Sequence, residues 1–193
     1  MPALCIGIRQ KHGGLTGLVA HDDLHWFSVI HKNCIDEPRR DAMPYVPVAQ
    51  LKDYVGKELG RSEWLTIDQA RINLFAEATG DHQFIHVDPV KAAQTPFGST
   101  IAHGFLSLSL MPKLMEDILI VPEGLKMAVN YGLDSVRFIQ PVKVDSKVRL
   151  NVTLTDVTEK KPGQWLFKAT ATLEIEGQEK PAYIAESLSL CFV

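Results

Sequence analysis

A chain of 193 residues, 46% hydrophobic and 22% charged, has the size and make-up of one globular domain with an added segment. Lys and Arg number 20 and Asp and Glu 23, a net charge of −3. That balance offers no electrostatic footprint for nucleic acid and argues against an anionic membrane surface as the main partner.

Three scattered cysteines, Cys5, Cys34 and Cys191, form no Cys-x-x-Cys pair. They imply a reducing, cytoplasmic setting without a disulfide framework or a zinc ribbon. The apolar run of residues 2–7 is too short for a secretory signal, and Arg9 and Lys11 follow it. Arg9 and Lys11 precede any acidic residue, but arginine and serine are too sparse for a mitochondrial presequence. The uncharged stretch of residues 95–112 is broken by Pro96, Gly98 and Gly104. It falls short of the ~20 apolar residues a membrane span needs.

Residues 1–45 lack sustained periodicity and read as an irregular or loosely ordered N-terminal extension. His21 and His25 have a spacing that can ligate a metal on a helix, but no third ligand has matching spacing, so no metal is expected. Residues 46–193 read as one domain. Leu51, Tyr54 and Val55 give a short helical face that Gly56 stops. Residues 58–65 fit a strand. Thr66 and Gln69 then have the form of a capping box, with Ile67, Ala70, Leu74, Phe75 and Ala78 at helical spacing and Gly80 as the stop. Asp88 followed by Pro89 is an N-cap with proline at the first helical position. Residues 95–100 are a loop. From about 102 to 116 the pattern is helical and, in its first half, apolar almost all round, which predicts a buried helix.

The last third alternates. Val148, Leu150, Val152 and Leu154 form one series, after Val142 and Val144; Trp165, Phe167, Ala169, Ala171, Leu173 and Ile175 form a second; Ile184, Leu188, Leu190 and Phe192 form a third. Turn residues at 161–163 and 176–178 separate them, and connections this short imply antiparallel pairing. The fold class is therefore α+β: an antiparallel sheet wrapped around one buried helix.

Asp81 and His86, five apart, do not share a helical face. A curved loop between Gly80 and Asp88-Pro89 would let them converge on one water, where a carboxylate and a neutral imidazole can move its proton. On spacing alone, Asp81 reads equally as a turn acid bonded to backbone amides, and His86 as a hydrogen-bonded core histidine.

The segment Ala78-Thr79-Gly80-Asp81-His82-Gln83-Phe84-Ile85-His86-Val87-Asp88-Pro89, followed by Phe97-Gly98 and Ile101-Ala102-His103-Gly104-Phe105, resembles the signature of MaoC-like dehydratases and R-specific enoyl-CoA hydratases. The resemblance runs from about residue 48 to 193, and Val136-Arg137-Phe138 with Pro141-Val142 resembles the family's strand after the buried helix. It implies a hot-dog fold, catalytic roles for Asp81 and His86, and a backbone N–H at Gly104 that serves as the oxyanion hole. The activity implied is reversible hydration of trans-2-enoyl thioesters to R-3-hydroxyacyl thioesters. Where most members have Asn-Pro this chain has Gln83-Phe84; Gln83 keeps the carboxamide, on a longer arm, for positioning water or substrate. No cofactor is implied beyond the coenzyme A or acyl carrier protein of the substrate. The resemblance also implies a homodimer, which would cover an otherwise exposed sheet edge. Two rival activities share the fold. One is an acyl-CoA thioesterase, which would want a carboxylate on the buried helix where residues 103–113 have none. The other is a non-catalytic acyl-thioester binding module.

Overall fold

In the computed structural model, which describes residues 45–193, the alternating last third becomes three consecutive long strands. The readings made for residues 1–44, the extension and the His21/His25 pair among them, lie outside the described residues. In chain order the elements are β1 (Tyr45–Val46), a 3-10 helix (Val48–Tyr54), β2 (Glu58–Arg61), β3 (Leu65–Ile67) and α1 (Gln69–Thr79). There follow α2 (Phe84–Val87), α3 (Pro89–Ala92), α4 (Gly104–Ser109) and α5 (Met111–Met115). The rest are strands: β4 (Val121–Pro122), β5 (Met127–Phe138), β6 (Ser146–Lys161), β7 (Gln164–Ile175) and β8 (Tyr183–Phe192).

The main sheet has the order β2-β6-β7-β8-β5, with β3 continuing the β2 edge along β6, and every pairing in it is antiparallel. Alternation fixes the register. Val148, Leu150, Val152 and Leu154 all turn to one face, opposite Ile175, Leu173, Ala171 and Ala169, and a slip of one residue would turn the whole row out to water. Gly163, at φ +74°, allows the tight β6–β7 turn.

Leu106, Leu110, Met111, Leu114 and Met115 lie against that inner face and share one core with Leu150, Val152, Leu173 and Tyr183. A sheet wrapped on a buried helical segment is the hot-dog arrangement. A smaller cluster, including Leu51, Ile120, Val157 and Phe167, closes one end. Among the described residues no helix is long and apolar enough to cross a membrane.

Three sequence expectations are corrected. The helix expected over 102–116 is two short helices meeting at Leu110, because Pro112 lacks an N–H and its ring crowds the carbonyl four residues back. Asp68, not Thr66, caps α1: its Oδ1 accepts from the Arg71 N–H at 2.8 Å, while Thr66 lies in β3. The strand over 58–65 is split. Between its halves Ser62 exchanges two bonds with the Leu150 backbone, its N–H donating to the carbonyl and its Oγ accepting from the amide, both at 2.9 Å.

β5 escaped the residue pattern altogether. Among the described residues it pairs only with β8; it carries two bulges and leaves Met127, Tyr131 and Leu133 exposed, so neither face shows a clean apolar alternation.

Candidate active site

Gly80 ends α1 in the left-handed conformation, φ 77°, with its N–H bonded to the Ala76 carbonyl at 2.8 Å. The chain then turns through residues 81–83 into α2. Asp88 stops α2 and starts α3, its Oδ1 accepting from the Lys91 N–H at 3.0 Å, with Pro89 at the first helical position. The loop of residues 93–99 follows and leads into a strap over 100–102. The strap is pinned on both sides: the Ile101 N–H donates to the Ile85 carbonyl at 3.0 Å, and the Ala102 N–H to the Val142 carbonyl at 2.8 Å. Thus a loop, two one-turn helices and a strap bring residues 81, 86, 103 and 104 together.

His86 is buried. Its Nδ1 lies 2.7 Å from the Ile101 carbonyl, which can only accept, so Nδ1 carries the proton. In the neutral ring Nε2 then holds the free lone pair. Burial, first of all, pushes the imidazole pKa below its ordinary 6.5, and His103 adds to the lowering. The Ile101 carbonyl and Asp81 pull the other way without prevailing. His86 is therefore a neutral base at pH 7.

Asp81 is exposed, and its Oδ1 accepts a long bond from the Gln83 N–H at 3.4 Å. A carboxylate oxygen of Asp81 and one ring nitrogen each of His86 and His103 lie within 4.8 Å of one another. Two hydrogen bonds of ordinary length from one water span about 4.6 Å, so Asp81 and His86 lie within reach of a single bridging water. The curved loop expected from the sequence does bring these two side chains together.

His103 is buried too. Its ring stacks on that of His86, with centroids 3.8 Å apart and planes 24° off parallel, and lies 5.0 Å from Phe75 on a tilted contact. Asp81, His86 and His103 have the composition of a two-histidine, one-carboxylate metal set. The stacked rings keep their in-plane lone pairs in two separate, nearly parallel planes, a poor arrangement for two ligands of one ion.

Gly104 is the first residue of α4, and its N–H has no intrahelical acceptor. A Cβ there would meet the ring of Phe138 at 3.2 Å, so glycine allows close approach at this point. Phe138 also makes edge contacts to Phe105 and Tyr183. Gln83 sits at the head of α2, exposed, and its carboxamide makes no hydrogen bond among the described residues.

The carboxamide that does reach His86 was missed in the sequence. Gln69 donates from Nε2 to the His86 carbonyl and to Asn73 Oδ1, both at 2.8 Å, and its Oε1 accepts from the buried Thr100 hydroxyl at 2.5 Å. Sequence reasoning had placed Gln69 in a capping box. Apart from Asn73, its partners lie 17 and 31 residues away, and no local pattern signals them.

Two grooves of about 390 and 380 Å³ lie elsewhere, one beside Trp64 and Arg149, the other beside Tyr54 and Ile118. Neither is lined by Asp81, His86 or Gly104.

The family model described as "MaoC like domain" matches residues 50–176. Over 141 residues the chain is 50% identical to the 3-hydroxyacyl-thioester dehydratase Z of Mycobacterium tuberculosis, an alignment covering 73% of this chain and 93% of that protein. Over 157 residues it is 44% identical to nodulation protein N of Rhizobium meliloti, covering 77% and 92% respectively. Among solved structures, the (R)-hydratase from A. caviae involved in PHA biosynthesis superposes with a TM-score of 0.58 at 28% identity, covering 70% of this chain and 94% of that one.

Proposed function

The chain belongs to the MaoC-like domain family, and from that premise we propose that it reversibly hydrates trans-2-enoyl thioesters to R-3-hydroxyacyl thioesters, with Asp81 and His86 as the proton-transferring pair. The observation that carries this reading is the pairing itself. An exposed carboxylate stands within one water's reach of a buried, neutral imidazole whose Nδ1 is tied to a main-chain carbonyl.

The chemistry follows from those groups. Water sits between the Asp81 carboxylate and His86 Nε2, accepting from neither and donating to both. As its oxygen attacks C3, His86 takes one of its protons, and Asp81 offsets the charge that develops on the ring. The electron pair of the C2–C3 double bond moves onto the thioester oxygen as an enolate. The Gly104 N–H donates to that oxygen, where charge grows only in the transition state. The pair then delivers the captured proton to C2 on the same face. One water has been added, no electrons have left the substrate, and the pair is back in its starting state. The reaction is redox-neutral, and we assign it no cofactor beyond the coenzyme A or acyl carrier protein of the substrate. Gln83 would reach the bound water or acyl group from the rim.

A thioesterase on this fold would use a carboxylate on the buried helical segment. Here Glu116, the first acid after His103, is exposed and ion-paired to Lys113 beyond the end of α5. That arrangement favours hydration over hydrolysis.

The proposed assembly is a homodimer. Among the described residues β5 has an unpaired long edge with exposed Met127, Val129, Tyr131 and Leu133, and a second copy laid antiparallel against it would continue the sheet. Three scattered cysteines without a Cys-x-x-Cys pair, Cys191 among them as a free, buried thiol, support a cytoplasmic place for the enzyme.

The test is substitution. Asp81→Asn and His86→Gln should each lower kcat on crotonyl-CoA by ~10²–10⁴-fold. Circular dichroism and Tm should stay near those of the parent protein. Near-normal rates in both variants would overturn the assignment.

A further inference from the structure

Asp81 is poorly held for a residue that must place a carboxylate. It is exposed and follows a left-handed glycine. Its N–H meets Thr79 Oγ1 only at 3.5 Å, and its own Oδ1 reaches the Gln83 N–H at 3.4 Å. Both contacts are long, and both partners belong to the same short stretch of chain. Among the described residues the one short bond to Asp81 comes from elsewhere: His103 Nε2 lies 2.9 Å from the Asp81 carbonyl oxygen, and since a carbonyl only accepts, Nε2 donates.

The His103 ring is itself packed against two rings. His86 stacks on it at 3.8 Å and Phe75 leans on it at 5.0 Å. Its remaining nitrogen, Nδ1, is buried and has no hydrogen-bond partner among the described residues. A histidine kept only for polar satisfaction would use both nitrogens, because a buried polar atom left unpaired costs about 1–3 kcal/mol. Here only the nitrogen aimed at Asp81 is used. His103 also immediately precedes Gly104, so one ring touches Asp81 and His86 and is bonded in sequence to the residue that offers the N–H to the thioester.

We propose that His103 is a positioning residue for the reaction: through its Nε2–H bond to the Asp81 carbonyl it fixes the Asp81 carboxylate relative to His86 and Gly104. The inference rests on the hydration reading above. His103 touches neither water nor substrate in this role and acts through Asp81 alone.

The test is a double-mutant cycle on crotonyl-CoA. His103→Phe keeps a planar ring against Phe75 and His86 but removes the donor. It should lower kcat by ~10²-fold, the scale of a misplacement near 1 Å. KM should move by less than about threefold, as expected when a transition-state interaction is lost. His103→Gln, which keeps an N–H donor without the ring, should restore at least ~10-fold of that loss. In an Asp81→Asn background, His103→Phe should change the residual rate by less than about threefold, because residues acting through one another are not additive. Circular dichroism and Tm accompany each variant, and His103→Leu supplies the same cycle where His103→Phe does not fold. Unchanged kcat in the donor-less variant would overturn the inference while leaving the hydration reading intact. So would the same fold loss with and without the Asp81 carboxylate, since that is the mark of packing. A fully active Asp81→Asn parent would instead bring down the hydration reading, and this inference with it.

Discussion

The β6–β7 hairpin and the segment from Gly80 to Gly104 are held by different physics. In the hairpin, Val148, Leu150 and Val152 face Ile175, Leu173 and Ala171 across a continuous ladder, and each contributes a share of non-directional burial. In the site segment, two four-residue helices and a strap are tied by single polar bonds to named atoms: His86 Nδ1 to the Ile101 carbonyl, Gln69 to the His86 carbonyl, His103 to the Asp81 carbonyl. The first region resists change by summing many small terms. The second holds its geometry through a few bonds, each of which points one group. Damage to the hairpin should therefore appear in stability, and damage to the segment in turnover.

The sharpest contrast within the segment is at Gly104. His103 has φ −58° and ψ 138°, the extended conformation that a residue before proline adopts, so Gly104→Pro fits the backbone at the first helical position while deleting the N–H. Loss of one such donor should cost ~10²–10³-fold in kcat. Gly104→Ala is the control: it brings the same Cβ to 3.2 Å from the Phe138 ring but keeps the N–H, and Phe138, 45% exposed, has room to yield. Equal losses in the two variants would assign the effect to crowding rather than to the missing donor.

Gln69→Ala spans both regions. It leaves the buried Thr100 hydroxyl and the His86 carbonyl without their partner. The expected cost is about 1–3 kcal/mol in stability by denaturant unfolding. Turnover should fall roughly 10-fold, less than a 1 Å displacement would cause. A variant that loses stability alone would mean that the Gln69 bond does not transmit to the His86 ring.

pH gives a smaller effect with a definite sign. Because burial holds His86 below its ordinary 6.5 and the proposed mechanism uses the neutral ring, the acid limb of kcat/KM should be centred below 6.5. Between its folded value and 6.5 the unfolded chain binds more protons than the folded one. This group therefore costs no stability above that window and removes stability as pH drops through it. A kcat/KM limb centred above 6.5 would contradict the burial argument.

The smallest effect on turnover belongs to the hairpin. Leu150→Ala, at a fully buried position, should cost about 2–5 kcal/mol in denaturant unfolding. The rate per folded molecule should be unchanged. A matching fall in that rate would break the separation of the two regions.

The same division governs what the sequence discloses. Periodic burial is written locally, which is why β6, β7 and β8, with Val148 to Leu154 and Phe167 to Ile175 at their centres, were legible as strands. The stop at Gly80 and the Asp88-Pro89 cap were legible because φ preference and capping are properties of single residues. β5 was not, because an edge strand with two bulges and exposed side chains keeps no apolar alternation of its own. The convergence of Asp81 and His86 could be suspected from the turn residues around them. The bonds that hold them could not: Gln69 to Thr100 and His103 to Asp81 close over 31 and 22 residues, and such distances leave no mark on local pattern. The division of the buried helix at Leu110 was readable in principle from Pro112, but the apolar run around it outweighed the missing N–H.

The most direct measurement is hydration of crotonyl-CoA by the full chain, followed by loss of the enoyl-thioester absorbance, with chiral analysis of the product and a free-thiol assay on the same samples. The account predicts loss of absorbance, a 3-hydroxybutyryl thioester of R configuration, and no release of thiol. An S product, or thiol released without any hydroxyacyl thioester, would contradict it.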